Sequence, residues 1–408
     1  MQRPPESHGR AATSAGHPPG GDVVVVGAGV VGLAVAWRLA GAGMRVVVVD
    51  PDPGRGSSWV AAGMLAPVTE VHYGEEQLLA LNLDSAARWP AFAAELEAAA
   101  GHGVGYRQSG TLLVAAEEGD RAIAADLHGF MAGLGLVAES LTVRRARQLE
   151  PALSPAIAGA LWAPGDHQVD NRLLVGALVE AAGRAGARLV RARVRALVAG
   201  GGRVEGVRLE DGTSIGAPRV VVAAGVGTGD VEGLDAGVLP PVRPVKGQIL
   251  RMTAGPQVPA LSRIVRGLVH GGSVYLVPRR DGSVVVGATA EERGFDTTVT
   301  GGAVYELLRD AHRVVPSVTE YVLDEASAGL RPGSPDNAPM VGTAAGGPEG
   351  LVLATGHYRN GVLLTPVTAD AVLELFETGS LPASVAPFAP ARFRPAAAGP
   401  PAGNGMPH

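Results

Sequence analysis

The apolar residues of this chain fall into short continuous runs and longer stretches with helical spacing. Near the beginning, a four-valine run at 23–26 is followed by a glycine-rich turn, an apolar stretch at 30–43 and a second four-valine run at 46–49. Short apolar runs bounded by glycine are typical of buried strands, and longer apolar stretches are typical of helices. The pattern predicts one strand–helix–strand unit between Asp22 and Asp50.

Two later stretches repeat this alternation. One begins at Asp170, a suitable helix N-cap, and ends in an apolar strand that closes at Gly225. The other covers residues 351–379 and again has the pattern of a strand, a turn and a helix. Strands that alternate with helices are typical of a parallel sheet, so we expect all three stretches to build one domain.

The remaining strand-like runs follow a different pattern. They lie at 110–116, 242–252 and 273–289, and the last contains Asp281-Gly282, a dipeptide that closes hairpins. These runs predict an antiparallel sheet. The fold class expected is therefore α/β (α+β overall), with a parallel-sheet domain interleaved with an antiparallel-sheet domain.

The order of these patterns also predicts domain boundaries. The parallel-sheet domain is expected to consist of residues 21–90, 145–235 and 325–385, and the antiparallel-sheet domain of residues 91–144 and 236–324. Both ends, residues 1–20 and 389–408, are rich in Pro, Gly and Ala. Such segments bury little apolar surface to offset chain entropy, so we expect two disordered tails.

Composition excludes several function classes. The net charge of −5 provides no basic stripe for a nucleic acid, and the lack of cysteine removes disulfides, thiolate metal sites and thiol nucleophiles. No apolar run approaches the roughly 20 residues of a membrane span, and the start has no apolar signal region, so a cytoplasmic protein is expected. No metal site is expected either, because the histidines lack paired ligand spacing. This holds for six of the ten histidines in the chain, His72, His102, His167, His270, His312 and His357.

A nucleotide-binding motif occupies the first strand–helix junction. Gly27, Gly29 and Gly32 form G-x-G-x-x-G between a strand and a helix, and Asp50 follows at the end of the second strand. In this context the glycines fit a pyrophosphate and the acid fits a ribose, which is typical of a Rossmann-like domain. The distal turn near Asn360 favours FAD over NAD, because a helix start there can stabilise the negative charge of a reduced flavin.

Several segments together resemble one family. VVVVGAGVVGLAVAWRLA, SSWVAAGMLAP, PVKGQ, YLVPRRDGSVVVGAT, AGLRPGSPDNAPMVG and ATGHYRNGVLLTP, over residues 21 to 385, are similar to the glycine oxidases of thiamine biosynthesis, within the D-amino-acid oxidase family. The resemblance implies noncovalent FAD and the oxidation of glycine, sarcosine or small D-amino acids to an imine. It also implies that O2 is reduced to H2O2, that the glycine imine supplies the thiamine thiazole, and that the protein is a homotetramer.

The resemblance assigns substrate roles to three residues. Arg331 matches a carboxylate-binding arginine, for which a planar, permanently charged fork is suited. Without the resemblance, a solvated or structurally paired arginine would be the alternative. Tyr275 matches a tyrosine that binds the same carboxylate, and Arg359 is expected near the mouth of the substrate site. Ala290 replaces a larger residue of some relatives, which predicts a wider pocket and a less strict preference for glycine.

Further residues are expected to contact the cofactor. Backbone amides of the distal turn are expected to face the flavin, small residues before Met64 to pass close to its ring, and Val194 to lie beside the adenine. Arg55 is a weaker phosphate candidate, and Lys246 is expected to be structural. The predicted cofactor-binding residues are Gly27, Ala28, Gly29, Val30, Val31, Gly32, Asp50, Ser57, Ser58, Ala62, Gly63, Met64, Val194, Gly225, His357, Tyr358, Asn360, Gly361, Val362 and Leu363.

Two alternatives remain at the level of the sequence. The nearer one is a D-amino-acid or sarcosine oxidase, or a dehydrogenase that passes electrons to a quinone instead of oxygen. The remote one is a nonredox regulator that senses a dinucleotide. A flavin spectrum separates the second from the first, and peroxide production in air separates oxidases from dehydrogenases.

Overall fold

The structure is a computed structural model that describes residues 20–234, 238–344 and 346–393. A six-stranded sheet forms the core of the first domain. Five of its strands run parallel, and the edge strand 340–343 is antiparallel to its neighbour. In spatial order the strands are Met340–Thr343, Leu351–Thr355, Val220–Val222, Val23–Val26, Val46–Val49 and Arg188–Val190.

The valine runs are buried on both faces of this sheet. Val23 and Val25 pack into a cluster formed with helices, whereas Val24 and Val26 pack against a three-stranded sheet on the other side. Because successive side chains of a strand point to opposite faces, a strand covered on both sides needs apolar residues at every position. The strands of the covering sheet are Ser214–Gly216, Arg203–Leu209 and Val194–Gly200.

The helices provide the other layer. The helix Val30–Gly41 packs against both Asn171–Arg184 and Thr365–Thr378, as expected for helices that follow strands of one sheet. At the start of Asn171–Arg184, the Asp170 side chain accepts hydrogen bonds from two backbone N–H groups, which confirms the predicted N-cap. The remaining α-helices are Ser57–Val60, Glu76–Ala100, Glu118–Gly133, Val143–Leu149 and Gly301–Val314.

An eight-stranded sheet forms the second domain. Its pairings are antiparallel apart from one parallel pair, 264–269 with 111–115. The hairpin predicted at Asp281-Gly282 joins two of its central strands. In spatial order the strands are Val322–Gly333, Arg243–Thr253, Ser283–Gly287, Gly272–Pro278, Ile264–Val269, Thr111–Ala115, Gly159–Ala163 and Glu139–Leu141.

Small elements complete the fold. Met64–Leu65 and His167–Gln168 form a two-stranded sheet. None of the helices within the described residues is long and apolar enough to span a membrane. The 3-10 helices are Gly225–Asp230, Pro316–Glu320, Tyr358–Asn360, Ala386–Phe388 and Pro390–Phe393.

Several elements cross the predicted domain boundaries. The strand 159–163 was expected in the parallel-sheet domain but pairs in the eight-stranded sheet. The strand 322–333 also pairs in the eight-stranded sheet, although its residues from 325 onward were expected in the parallel-sheet domain. The helix 76–100 continues across position 90 and packs against helices of the first domain. The helix contains Pro90 at the expected boundary and nevertheless continues past it to Ala100.

The two ends of the chain differ from the expected tails in one respect. Residues 390–393 form a 3-10 helix, and Arg392 forms an ion pair with Asp336 at 2.8 Å. The expectation of a disordered tail beginning at residue 389 is therefore wrong for 389–393. The expected tails at 1–19 and 394–408 lie outside the described residues.

Candidate active site

A cavity of about 1030 Å³ lies where the glycine turn of the first domain meets the eight-stranded sheet. Most of the residues predicted from the sequence line it, although they come from distant parts of the chain. Those that line it are Gly27, Gly29, Val30, Val31, Asp50, Ser57, Ser58, Ala62, Gly63, Met64, Val194, Gly225, Tyr275, Arg331, His357, Tyr358, Arg359, Gly361 and Val362. Ala28, Gly32, Asn360 and Leu363 lie behind the cavity wall.

The glycine turn leaves the start of the first helix open to the cavity. Gly27 has φ +104°, and a Cβ there would lie 2.5 Å from the carbonyl oxygen of Ala223. Only glycine therefore fits at this position. The first helix begins at Val30 directly behind the turn. Its N-terminus faces the cavity with the positive end of the helix dipole, which suits a pyrophosphate.

Asp50 fixes the same turn. One carboxylate oxygen accepts a hydrogen bond from the Ala28 N–H at 2.7 Å, and the other accepts one from the Asp52 N–H at 2.8 Å. A carboxylate has about four acceptor positions, so Asp50 retains capacity for the two hydroxyls of a ribose. The same residue thus holds the glycine turn and presents acceptors to the cavity.

The two serines that follow have different hydrogen bonds. Ser58 Oγ accepts from the Val30 N–H at 3.1 Å, which leaves its own O–H available for a phosphate oxygen. Ser57 Oγ instead donates to the Leu330 carbonyl at 2.8 Å. The expectation that Ser57 donates to the pyrophosphate does not agree with this bond. Ser57 joins the nucleotide loop to the strand that carries Arg331.

The distal turn presents free backbone donors. The N–H groups of Gly361, Val362 and Leu363 form no hydrogen bond with the described residues, although Val362 and Leu363 are buried. The Asn360 N–H differs from the expectation, because it donates to the His357 carbonyl at 2.9 Å. Buried backbone donors almost always have partners. These three unpaired N–H groups are consistent with a bound acceptor such as the carbonyl edge of a flavin.

His357 lies under this turn as a neutral residue. Its Nε2 is 3.0 Å from Thr368 Oγ1, and complete burial lowers the pKa of His357 to about 4. Burial in an apolar region disfavours the imidazolium. His357 therefore positions the turn without adding charge beside it.

The candidate substrate residues Arg331 and Tyr275 both line the cavity beside glycines on neighbouring strands. A Cβ on Gly247 would lie 2.6 Å from the guanidinium nitrogens of Arg331, and a Cβ on Gly287 would lie 2.5 Å from the Tyr275 hydroxyl. The two glycines thus create the space in which these side chains lie. Sequence reasoning missed both glycines, since their function depends on residues of other strands.

The electrostatics of this pair favour an anionic ligand. Arg331 donates to the Thr289 carbonyl at 3.1 Å and has no carboxylate within ion-pair distance in the part of the chain that the structure describes. Burial raises the pKa of Tyr275, and the nearby Arg331 opposes that rise. Tyr275 is therefore a neutral hydroxyl donor beside an unneutralised guanidinium, an arrangement that suits a carboxylate.

Glu70 is a cavity residue that sequence reasoning missed. Its side chain is 16% exposed and lies 3.8 Å from Arg266, the residue that pairs with Tyr275 across the sheet. The Glu70 charge also contributes to raising the pKa of Tyr275, so the two side chains are near each other. The cavity wall near Tyr275 therefore carries the paired charges of Glu70 and Arg266 as well as Arg331. No sequence motif distinguishes Glu70 from the neighbouring acids.

Arg359 lines the cavity, but its charge is already paired. Its guanidinium contacts both carboxylate oxygens of Glu75, and both side chains are largely buried. Unlike Arg331, Arg359 is therefore not a free cation for a substrate. Glu75 was not predicted, because the pair joins residues 284 positions apart.

The structure also places the three remaining residues considered from the sequence, Arg55, Lys246 and Ala290. Arg55 lines the cavity, with its guanidinium 3.9 Å from the centre of the Trp59 ring. Lys246 is buried and pairs with Asp296 at 2.7 Å, which fits a structural lysine. Ala290 is exposed and lies outside the cavity lining, so the expected widening of the pocket at this position is wrong.

The family is decided by comparison with known proteins. Residues 22–375 match the model of the DAO family, described as FAD dependent oxidoreductase. The chain belongs to this family. The free amides of the distal turn, the open helix N-terminus and the size of the cavity fit FAD, and the fold class predicted from the sequence is confirmed.

Within this family, the chain is similar to glycine oxidases in both sequence and structure. Glycine oxidase of Geobacillus kaustophilus is 34% identical over 375 residues, which cover 90% of this chain and 96% of that protein. Its crystal structure aligns with a TM-score of 0.85 and covers 93% of this chain and 100% of that one. This match confirms the mixed architecture of parallel and antiparallel sheets and the resemblance to glycine oxidases.

Two other kinds of relative are similar. The bifunctional protein ThiO/ThiG of Trichormus variabilis is 34% identical over 357 residues, which cover 86% of this chain and 52% of the relative. The chain thus spans about half the length of these bifunctional relatives. Hydrogen cyanide synthase subunit HcnC of Pseudomonas aeruginosa is 30% identical over 409 residues, which cover 92% of this chain and 96% of that protein.

Proposed function

We propose that this protein oxidises glycine, and also sarcosine and small D-amino acids, to the corresponding imine and passes the electrons to O2, which forms H2O2. The observation that carries the proposal is the unpaired Arg331 guanidinium beside the neutral Tyr275 hydroxyl in the cavity. Glycine oxidase of Geobacillus kaustophilus supports it at 34% identity. We further propose that the imine supplies thiazole synthesis for thiamine, in line with the ThiO/ThiG relatives.

The chain's own residues bind and orient the substrate. Arg331 and Tyr275 hold the carboxylate through charge-assisted hydrogen bonds, which fixes the position of the α-carbon. Glu70 lines the same cavity, where its charge is paired with Arg266 at 3.8 Å. FAD, when bound, supplies the two-electron acceptor for the reaction.

The residues that hold FAD bind it without a covalent bond in this proposal. The chain contains no cysteine, and the Nε2 of the buried His357 is engaged with Thr368. The glycine turn and Ser58 would hold the pyrophosphate, Asp50 would hold the ribose, and the free amides of residues 361–363 would bind the flavin. A linkage through cysteine or through His357 Nε2 is therefore not part of the proposal.

A dehydrogenase that uses another electron acceptor is the second candidate. The match to the hydrogen cyanide synthase subunit HcnC, at 30% identity over nearly the whole chain, shows that similar chains differ in the product for which they are named. The substrate site described above suits both enzymes, because Arg331 and Tyr275 recognise only the carboxylate. The distinction lies in how the reduced cofactor is reoxidised.

Peroxide production distinguishes the two candidates. Purified holoenzyme is supplied with glycine, sarcosine or D-alanine in air, and H2O2 is measured beside the reduction of an added quinone or dye. An oxidase forms H2O2 in step with substrate loss, whereas a dehydrogenase forms little H2O2 and reduces the added acceptor. If the protein oxidises none of these substrates with either O2 or the added acceptor, the proposed function is wrong.

A further inference from the structure

We propose that a second cleft, remote from the active-site cavity, binds a small phosphate-type oxyanion. This arginine cleft has a volume of about 620 Å³ and is lined by Tyr106, Arg107, Ser109, Ser262, Arg263 and Arg280, among others. None of its lining residues lines the active-site cavity. Three of the chain's 34 lysines and arginines therefore meet at one cleft.

Two of the arginines are held in place by neutral acceptors. Arg107 donates to the carbonyls of Pro278 at 3.3 Å and Ser262 at 3.0 Å. Arg263 donates to the Leu149 carbonyl at 2.5 Å and to Ser262 Oγ at 3.0 Å. These bonds fix the guanidinium groups but leave their positive charges uncompensated. An arginine fixed in this way loses little side-chain entropy when it binds an oxyanion.

The third arginine adds charge without a partner. Arg280 is exposed and has no hydrogen bond or ion pair with any residue that the structure describes. Burial and the nearby Arg280 both lower the pKa of Arg107, so the two like charges are close. Like charges that converge in one cleft are stabilised by a bound anion.

None of the described residues that line the cleft is acidic. The buried carboxylate of Glu150 contacts two lining residues, since it accepts hydrogen bonds from the N–H groups of Ser262 at 2.8 Å and Arg263 at 3.1 Å. One Glu150 oxygen is therefore occupied by backbone donors and the Ser262 hydroxyl. A single buried carboxylate leaves an excess of positive charge from Arg107, Arg263 and Arg280.

The side chains of the cleft suit a small oxyanion. The arginines line an open cleft whose wall includes the half-buried ring of Tyr106. The planar guanidinium fork matches the oxygen spacing of phosphate, and several arginines around one cleft are typical of phosphate recognition. Inorganic phosphate and pyrophosphate are therefore suitable probes.

The test measures binding to the holoenzyme, in which FAD occupies the other anion site. Calorimetric titrations with inorganic phosphate and with pyrophosphate are made at constant ionic strength. We compare the wild type with Arg280→Gln, with Arg107→Gln/Arg280→Gln and with the control Arg144→Gln. Arg144 is exposed on the helix Val143–Leu149 and does not line the cleft, so its substitution removes the same single charge as Arg280→Gln without altering the lining.

We expect saturable binding of at least one probe by the wild type and by Arg144→Gln, and binding weaker by about tenfold or more in the double variant, since charged hydrogen bonds are lost. Arg280→Gln removes an exposed, unpartnered side chain, so it keeps the test valid even if the double variant folds poorly. Absence of saturable binding, or equal binding in all variants, would overturn the proposal. Binding of polyglutamate in the cleft without binding of either probe would also overturn it.

Discussion

Gly247 leaves the space that the Arg331 guanidinium occupies, since a Cβ on Gly247 would lie 2.6 Å from the guanidinium nitrogens. The two residues lie on adjacent strands, and Arg331 pairs with Val245 in the register. A methyl group at position 247 must therefore displace the guanidinium. The position of the proposed carboxylate-binding group depends on a residue that has no functional side chain.

Gly247→Ala is expected to lower kcat/KM for glycine by about 10–100-fold, because a displacement of about 1 Å at a binding group has effects of this size. The FAD content should not change. Gly119→Ala is the matched control, since a Cβ at this helical glycine meets no atom within 4 Å. Steady-state kinetics with glycine measure the effect. Equal kinetics of Gly247→Ala and the wild type would contradict the proposed position of Arg331.

Arg331→Gln is expected to lower kcat/KM for glycine by about 100-fold or more, and Tyr275→Phe by about tenfold, because hydrogen bonds to a charged group contribute about 1.5–3 kcal/mol. Both losses should be much smaller for ethylamine, which lacks a carboxylate. Arg313→Gln, on an exposed helix surface, serves as the charge control. If the loss with ethylamine equals the loss with glycine, the two residues do not bind the carboxylate.

Glu75→Gln is expected to destabilise the protein by about 1–3 kcal/mol, because it leaves the largely buried Arg359 without a counter-charge. Glu118→Gln breaks the exposed pair with Arg121 and should leave stability close to that of the wild type, because solvent screens this pair. Urea unfolding of the two holoenzyme variants measures the difference. Similar losses in both variants would show that the Arg359 pair is not needed for the stability of the cavity wall.

Asp166 predicts a dependence of stability on pH. Burial raises the pKa of its carboxyl group to about 6 from a usual value of 3.8, although the N–H groups of Val68 and Thr69 donate to it. The folded protein therefore binds this proton more tightly than the unfolded chain. The resulting stabilisation is complete below pH 3.8 and is lost as the pH rises through 6.

Urea unfolding of the wild type and of Asp166→Asn between pH 4 and 7 tests this contribution. The stability of the wild type relative to the variant should fall by up to about 3 kcal/mol over this range, since each pKa unit corresponds to about 1.4 kcal/mol. His357, whose lowered pKa gives a slope of opposite sign, is present in both proteins and cancels. A difference that is constant with pH would refute the raised pKa of Asp166.

The local elements of the fold could be predicted because their signals lie within a few residues. In three features the local sequence preference agrees with the structure. They are the valine strands, the Asp170 cap and the Asp281-Gly282 hairpin. The strand 159–163 could not be assigned, because its sequence, GALWA, does not indicate which sheet it joins. Its pairing with 111–115 depends on contacts distant in sequence.

The candidate site was predictable where a motif carries the chemistry. The glycine turn, Asp50 and Arg331 belong to such motifs. Glu70 and the Glu75–Arg359 pair were missed because their environment is created by packing between separate segments. The bond from Ser57 to Leu330 shows the same limit, since a loop serine gives no sign of a partner 273 residues away.

Anaerobic titration of the purified holoenzyme with glycine tests the central claim most directly. The account predicts a flavin absorbance band that bleaches with glycine in the wild type, and that requires a much higher glycine concentration or bleaches much more slowly in Arg331→Gln. A protein with no flavin band, or a flavin band that glycine leaves unchanged, would contradict the account.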